Sequence, residues 1–352
     1  MEPSLLLSRR DLAGLATFGD YLAAAEQAFQ AHARARPAGE NGSGLLHCGA
    51  QDGEFHIKTG TLRLDRTYVA VKVNGGFPHN RERYGLAAIL GTVALLDGNT
   101  GQLIALMDSA ELTRNRTAAA VALAARYLAR PDARVLTLCG CGTQGRAQLE
   151  GLSQVLPLAQ AFAFDRDPEC SRNLAADMTS QLGFPVQAVT ELAAAVRQSD
   201  VCVTCTPARE PLIPAASVPP GLFLAAVGAD SPGKQELDPA VFANATVVVD
   251  LLSQCAQVGE LHHALAAGVL RRDQVYAELG AIVSGQTPGR RSPEEVTIFD
   301  ATGTGLQDAA AAVMLYERAR ERGAGTPFDF FDVGRDLGAH YELNYSIQSG
   351  NL

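Results

Sequence analysis

The first hundred residues show two spacings of apolar side chains. From 20 to 35 they recur every three or four positions. Tyr21, Ala24, Ala25, Ala28 and Phe29 share one side, which predicts an amphipathic helix. Pro37 and the glycine-bearing stretch 39–44 end it. Beyond that point the spacing falls to two in GEFHIKTGTL, TYVAVKV, ILGTVALLD and GQLIALMD. Asn74-Gly75-Gly76 and Asp97-Gly98-Asn99 supply turns. A mostly antiparallel sheet following one helix is expected.

At Ser109 the pattern changes. Residues 109–130 are alanine-rich and helical, closed by Pro131. Apolar strands at 134–139, 161–164, 201–205, 222–227 and 247–250 then alternate with helices at 142–156, 168–182 and 191–198. Strands apolar on both faces need helices over both faces, the signature of a doubly wound parallel sheet. A further strand at 296–299 precedes a long helix at 305–322, after which the tail turns polar and aromatic. The expected fold class is α/β, with a Rossmann-type doubly wound parallel sheet over 116–312. Residues 1–115 and 313–352 are expected to form a discontinuous α+β domain for substrate binding and dimerisation. The 352 residues suit two cores, because a single core stops growing at ~250–300 residues.

Composition acts mainly by exclusion. A net charge of −9 offers no cationic footprint for nucleic acid or an acidic membrane surface. No apolar run approaches the ~20 residues that span a bilayer. In MEPSLLLSRRDLAGL the arginines follow the short apolar run, the reverse of a secretory leader, so the cytoplasm is expected. The seven cysteines are an odd number, and Cys202 and Cys205 lie three apart within an apolar strand, where they point to opposite faces. They read as small buried hydrophobes, and no spacing suggests a metal site.

Candidate chemistry centres on VLTLCGCGTQGRAQLEGL, where Gly140-x-Gly142-x-x-Gly145 joins an apolar strand to a helix. The first glycine permits the tight turn, the second lets the backbone approach a pyrophosphate, and the third lets helix and strand pack closely. The phosphates then meet the unpaired N–H groups of the helix start. Asp165 ends the next strand, where a carboxylate accepts hydrogen bonds from an adenosine ribose. That carboxylate favours NAD, although Arg166 beside it could clamp the extra phosphate of NADP.

Four more segments accompany this loop: VKVNGGFPHN, LTRNRTAA, VGADSPGKQELD and IFDATGTGLQDAAAA. Together, from about Val69 to Ala312, they resemble the ornithine cyclodeaminase/μ-crystallin family. That family includes alanine dehydrogenases, lysine cyclodeaminases and cyclic-ketimine or pyrroline-carboxylate reductases. The resemblance implies a homodimer built through the N-terminal sheet, with the active site in a cleft beside the nicotinamide. It places substrate-binding and catalytic roles on Lys72, Arg116 and Asp230. It also places Thr117, Thr143, Gln144, Thr206, Gly228, Lys234 and Thr302 along the cofactor. Two departures stand out. An early-strand arginine has no counterpart in GENGSGLLHCGAQDGEFHIKTG, and Ala301 stands where serine is frequent.

These residue types make chemical sense. An amino-acid carboxylate beside the cofactor needs cationic donors, which Arg116 and Lys72 supply. Hydride loss from Cα requires a deprotonated amine, so Asp230 is the expected proton acceptor. In Glu54-Phe55-His56-Ile57-Lys58-Thr59 the alternation puts Glu54, His56 and Lys58 on one strand face. If that strand neighbours the one bearing Lys72, Lys58 could supply the contact of the absent arginine. The expected activity is ornithine cyclodeaminase-like: hydride abstraction, cyclisation with ammonia loss, and hydride return. Net imine reduction or alanine-type dehydrogenation is the alternative, and a non-catalytic cofactor-binding protein is a further one.

Overall fold

The computed structural model describes residues 3–34, 41–48 and 53–330. Six early strands are β1 (Ser4–Leu7), β2 (Asn41–Cys48), β3 (Gly53–Arg63), β4 (Thr67–Gly76), β5 (Ile89–Asp97) and β6 (Leu103–Asp108). Successive strands from β2 to β6 pair antiparallel, while β1 joins β6 in parallel. At the β5–β6 turn Asp97 Oδ1 accepts from the Asn99 and Thr100 amides at 2.8 and 2.9 Å, a local side-chain turn of the kind aspartate favours.

Strands β7 (Val135–Cys139), β8 (Gln160–Phe164), β9 (Val186–Ala188) and β10 (Val201–Thr204) follow. Then come β11 (Arg209–Ile213), β12 (Phe223–Ala226), β13 (Gln235–Leu237), β14 (Thr246–Val249), β15 (Ala277–Glu278) and β16 (Thr297–Asp300). Eight of them form an all-parallel sheet in the order β15-β14-β16-β12-β10-β7-β8-β9, and β11 pairs with β13 apart from it. This bears out the Rossmann-type α/β reading. The order reverses between β7 and β10, so the crevice beyond their carboxyl ends is where such sheets bind ligands. The last described strand, β17 (Thr326–Phe328), returns to pair with β1.

Two helices join the sheets. The Ser109–Leu128 helix is capped by Asp108, whose side chain accepts from the Ala110 amide at 2.9 Å. Every position from Arg116 to Ala125 on it is buried, as in a helix packed on all sides. The Gly305–Arg322 helix leaves β16 and crosses β3 and β4. A Cβ on Gly60 would lie 2.2 Å from the Gly305 carbonyl carbon, so glycines allow the helix start to press on β3. That contact sets Lys58 beside the turn at Thr302.

Three features differ from the sequence expectation. Strand β1 has four residues, too few for a periodic signal. Residues 41–44, expected to be a break, belong to strand β2, where pairing with β3 overrides the turn-like composition. The helix expected at 191–198 is the five-residue Leu192–Val196. Residues 331–352 of the expected discontinuous domain lie outside the described residues.

Candidate active site

The glycine loop is shaped by close approach. Gly140 has φ +105°, a region side-chain-bearing residues rarely adopt, and a Cβ on Gly145 would meet the Gly140 oxygen at 2.0 Å. Gly142 caps the Thr143–Ser153 helix with no side-chain hydrogen bond and faces open space. Uncapped amides at a helix start suit a pyrophosphate. Asp165 sits at the tip of β8, where its Oδ2 accepts from the Cys141 amide at 2.8 Å and its Oδ1 from the Asp167 amide at 3.0 Å. The carboxylate is thereby held beside the loop, and Arg166 is exposed. Across the crevice, a Cβ on Gly140 would lie 3.0 Å from Thr206 Cγ2, and one on Gly228 2.3 Å from the Thr206 oxygen. Thr206, Gly228 and the glycine loop therefore form one wall, fitted to a dinucleotide.

The Thr206 side of that wall is tied down from below. Glu236, fully buried, accepts from Thr204 Oγ1 (2.7 Å), Thr206 N (2.6 Å), Thr206 Oγ1 (2.7 Å) and Gly228 N (2.9 Å). Glu260 in turn accepts from the Glu236 and Leu237 amides, and Asp300 from the Glu260 and Leu261 amides. Burial raises the pKa values of this row, to about 8 for Glu260 and about 7 for Asp300.

Between the sheets lies a cleft of about 480 Å³. Lys58 on β3 stands directly opposite Lys72 on β4, so both point to one face. Lys72, 2% exposed, donates to Asp308 Oδ1 at 2.8 Å and lies 2.7 Å from Oδ2. Arg116 Nε is 3.0 Å from the same carboxylate, and its Nη1 donates to Gln307 at 3.1 Å. Its guanidinium rests on the Gly303 turn, where a Cβ would come within 2.4 Å of Nη1. Lys58 donates to the Thr302 carbonyl at 2.7 Å. Burial first, then Arg116 and Lys58, push Lys72 down to about 7 against the pull of Asp308. Burial likewise lowers Lys58, opposed mainly by Asp230.

Asp230 follows β12 and faces this cluster from the second sheet. Its Oδ1 accepts from Lys234 at 2.6 Å, and its Oδ2 is 3.9 Å from His56 Nδ1. The other imidazole nitrogen, Nε2, is 2.7 Å from Glu54 Oε1. Burial opposes the charge on Asp230, yet Lys234, Lys58 and His56 outweigh it and hold the pKa at about 2.

The expected residues are thus distributed over two neighbouring places. Lys58, Lys72, Arg116 and Asp230 share the cleft with Thr117, Thr143, Gln144 and Thr302. Gly140, Gly142, Gly145, Asp165, Thr206 and Gly228 form the crevice. Lys234, expected along the cofactor, lines the cleft and pairs with Asp230. The Thr117 hydroxyl donates to Thr113 O, and that of Thr302 donates to Asp250 and accepts from Gln254. Sequence reasoning missed Asp308, Glu236 and the roles of Glu54 and His56. Asp308 lies within a quoted motif, but it reads there as an ordinary first-turn helix acid.

The described cysteines carry free thiols, and burial raises Cys141 to about 12 and Cys202 further. Among the described residues no cluster of three or more His, Cys, Asp and Glu could hold a metal, and no helix is long and apolar enough to cross a membrane.

The sequence model of the ornithine cyclodeaminase/mu-crystallin family matches residues 4–323. The chain belongs to that family. Members of the ornithine cyclodeaminase/mu-crystallin family with assigned activities resemble it over nearly their whole length. The iminosuccinate reductase of Paracoccus denitrificans is 37% identical over 319 residues, covering 91% of this chain and 98% of the relative. The Δ1-pyrroline-2-carboxylate reductase of Thermococcus litoralis, solved with NADH and L-proline, superposes with a TM-score of 0.86 at 30% identity. It covers 92% of this chain and 99% of its own. A lysine cyclodeaminase structure gives 0.81 at 31% identity, covering 94% and 96%.

Proposed function

We propose that the chain is an NAD(H)-dependent oxidoreductase of a small α-amino or α-imino acid, working by net reduction or oxidation of the Cα–N bond. The observation that carries this reading is the charge of the cleft. Arg9, Lys58, Lys72, Arg114, Arg116 and Lys234 line it with Glu54 and Asp230, and behind them Asp108 pairs with Arg9, Glu150 with Arg114, and Asp308 with Lys72 and Arg116. The converging Lys58, Lys72 and Arg116 offer a substrate carboxylate its cationic donors. Bound NAD(H) supplies the hydride acceptor or donor. Lys58, Lys72 and Arg116 hold the carboxylate, with Asp308 fixing the last two in place. Asp230 faces the substrate nitrogen and exchanges its proton. NAD is preferred over NADP because Asp165 is poised for a ribose hydroxyl.

Glu54 favours a second reading, since a cleft carboxylate could hold a side-chain ammonium and so allow cyclodeamination. A screen of ornithine, lysine, alanine, pyrroline-2-carboxylate and piperideine-2-carboxylate separates the two when NADH and ammonia are followed together. Stoichiometric NADH turnover supports net redox. One ammonia per cyclic product with catalytic NAD supports cyclodeamination. The exposed Tyr84 and Leu86 in the connection from β4 to β5, with Ile89 and Leu90 at the start of β5, support a homodimer that covers them.

A further inference from the structure

The following step rests on the imine-reductase or dehydrogenase reading above. Reducing a C=N bond consumes one hydride and one proton: Cα takes the hydride from the reduced nicotinamide, and the electron pair of the C=N bond takes a proton at nitrogen. Asp230 faces that nitrogen, but Lys234, Lys58 and His56 hold it ionised with a pKa of about 2. It therefore reaches the substrate without a proton of its own. Lys234, at 2.6 Å, is engaged in neutralising it.

His56 lies on the other side. Its Nδ1 is 3.9 Å from Asp230 Oδ2, and its Nε2 is 2.7 Å from Glu54 Oε1. Only the imidazolium offers an N–H to both carboxylates. Other groups turned toward this face are Lys58 on β3, Lys72 and Asn74 on β4, and Lys234 beyond β12.

We propose that His56 supplies, through Asp230, the proton that the substrate nitrogen takes up. The ionised Asp230 takes the proton from Nδ1 and passes it to the substrate nitrogen, and solvent reprotonates the ring; oxidation runs the same steps backwards. Glu54 on Nε2 fixes the ring orientation. His56 touches no substrate in this scheme and acts as a positioning and relay residue.

The test uses full-length protein labelled with ¹³C at histidine, with His56→Gln assigning the resonance. Asp230→Asn should displace the His56 resonance, with or without cofactor, as the 3.9 Å approach of Asp230 Oδ2 to Nδ1 requires. In kinetics, His56→Gln should lower kcat for imine reduction by ~10²-fold while KM changes by less than about threefold. The pH profile of kcat in the variant should differ from that of the wild type. Added imidazole should restore part of the rate to His56→Ala. An unchanged His56 resonance in Asp230→Asn, or a wild-type pH profile in His56→Gln, overturns the proposal. If the wild type reduces none of the imino acids, the reaction assignment fails, while the resonance measurement still decides whether His56 and Asp230 are coupled.

Discussion

Replacing Asp308 by asparagine removes one charge and almost no volume. Asp308 is fully buried and lies 2.7 Å from Lys72 Nζ and 3.0 Å from Arg116 Nε, so the variant leaves two cations facing each other out of water. Breaking a buried ion pair by removing one partner costs about 3–5 kcal/mol, which corresponds to a fall in melting temperature of roughly 5–15 °C. The pH dependence has a definite sign. Lys72 is already depressed to about 7 in the folded protein, whereas an unfolded lysine titrates near its ordinary value of 10.5. The unfolded chain thus binds the proton more tightly, and this lysine's contribution to stability rises with pH from about 7 upward. Without Asp308 the folded pKa drops further, so the extra loss appears below pH 7 and deepens by about 1.4 kcal/mol per pH unit. Thermal melts of both proteins from pH 5.5 to 8.5 measure this. A variant within about 1 kcal/mol of wild type, with parallel curves across pH, would show that Asp308 is not the counter-charge of the cleft.

Further outcomes follow from the same geometry. Fluorescence titration should show tighter binding of NAD(H) than NADP(H), and Asp165→Ser should narrow the gap; a clear NADP(H) preference would mean that Arg166 governs the choice. Lys58→Ala should raise KM for the amino or imino acid with the affinity for NAD unchanged, and a KM within about twofold of wild type would leave carboxylate recognition to Lys72 and Arg116. Asp230→Asn should lower turnover by ~10²–10⁴-fold with NAD affinity close to wild type, and near-normal rates would remove Asp230 from the chemistry.

Much of this arrangement is local in the chain, and those parts are legible in the sequence. The glycine loop, its strand and Asp165 sit within one β-α-β unit, where each residue type answers a local steric or electrostatic need. Lys58 is legible because strand alternation sets its face, and the observed register supplies its neighbour, Lys72. What could not be read are contacts between distant segments. Asp308 lies 236 residues from Lys72, and His56 lies on β3 whereas Asp230 lies in the connection after β12 of the other sheet. Glu236 illustrates the same limit: its four donors come from Thr204, Thr206 and Gly228, which only the packing of β13 beneath β10 and β12 brings together. The edge strand β2 escaped because its glycine, serine and asparagine residues signal a turn until pairing with β3 is known.

The most direct measurement follows the hydride itself. NADH carrying deuterium in the transferable position at nicotinamide C4 is mixed with the enzyme and pyrroline-2-carboxylate, or whichever imino acid of the screen is consumed, and the amino acid formed is analysed by mass spectrometry and NMR. The account predicts one deuterium at Cα for each NADH oxidised, with no ammonia released. Product without deuterium at Cα, or cyclic product formed from a diamino acid with ammonia release and no net use of NADH, would contradict it.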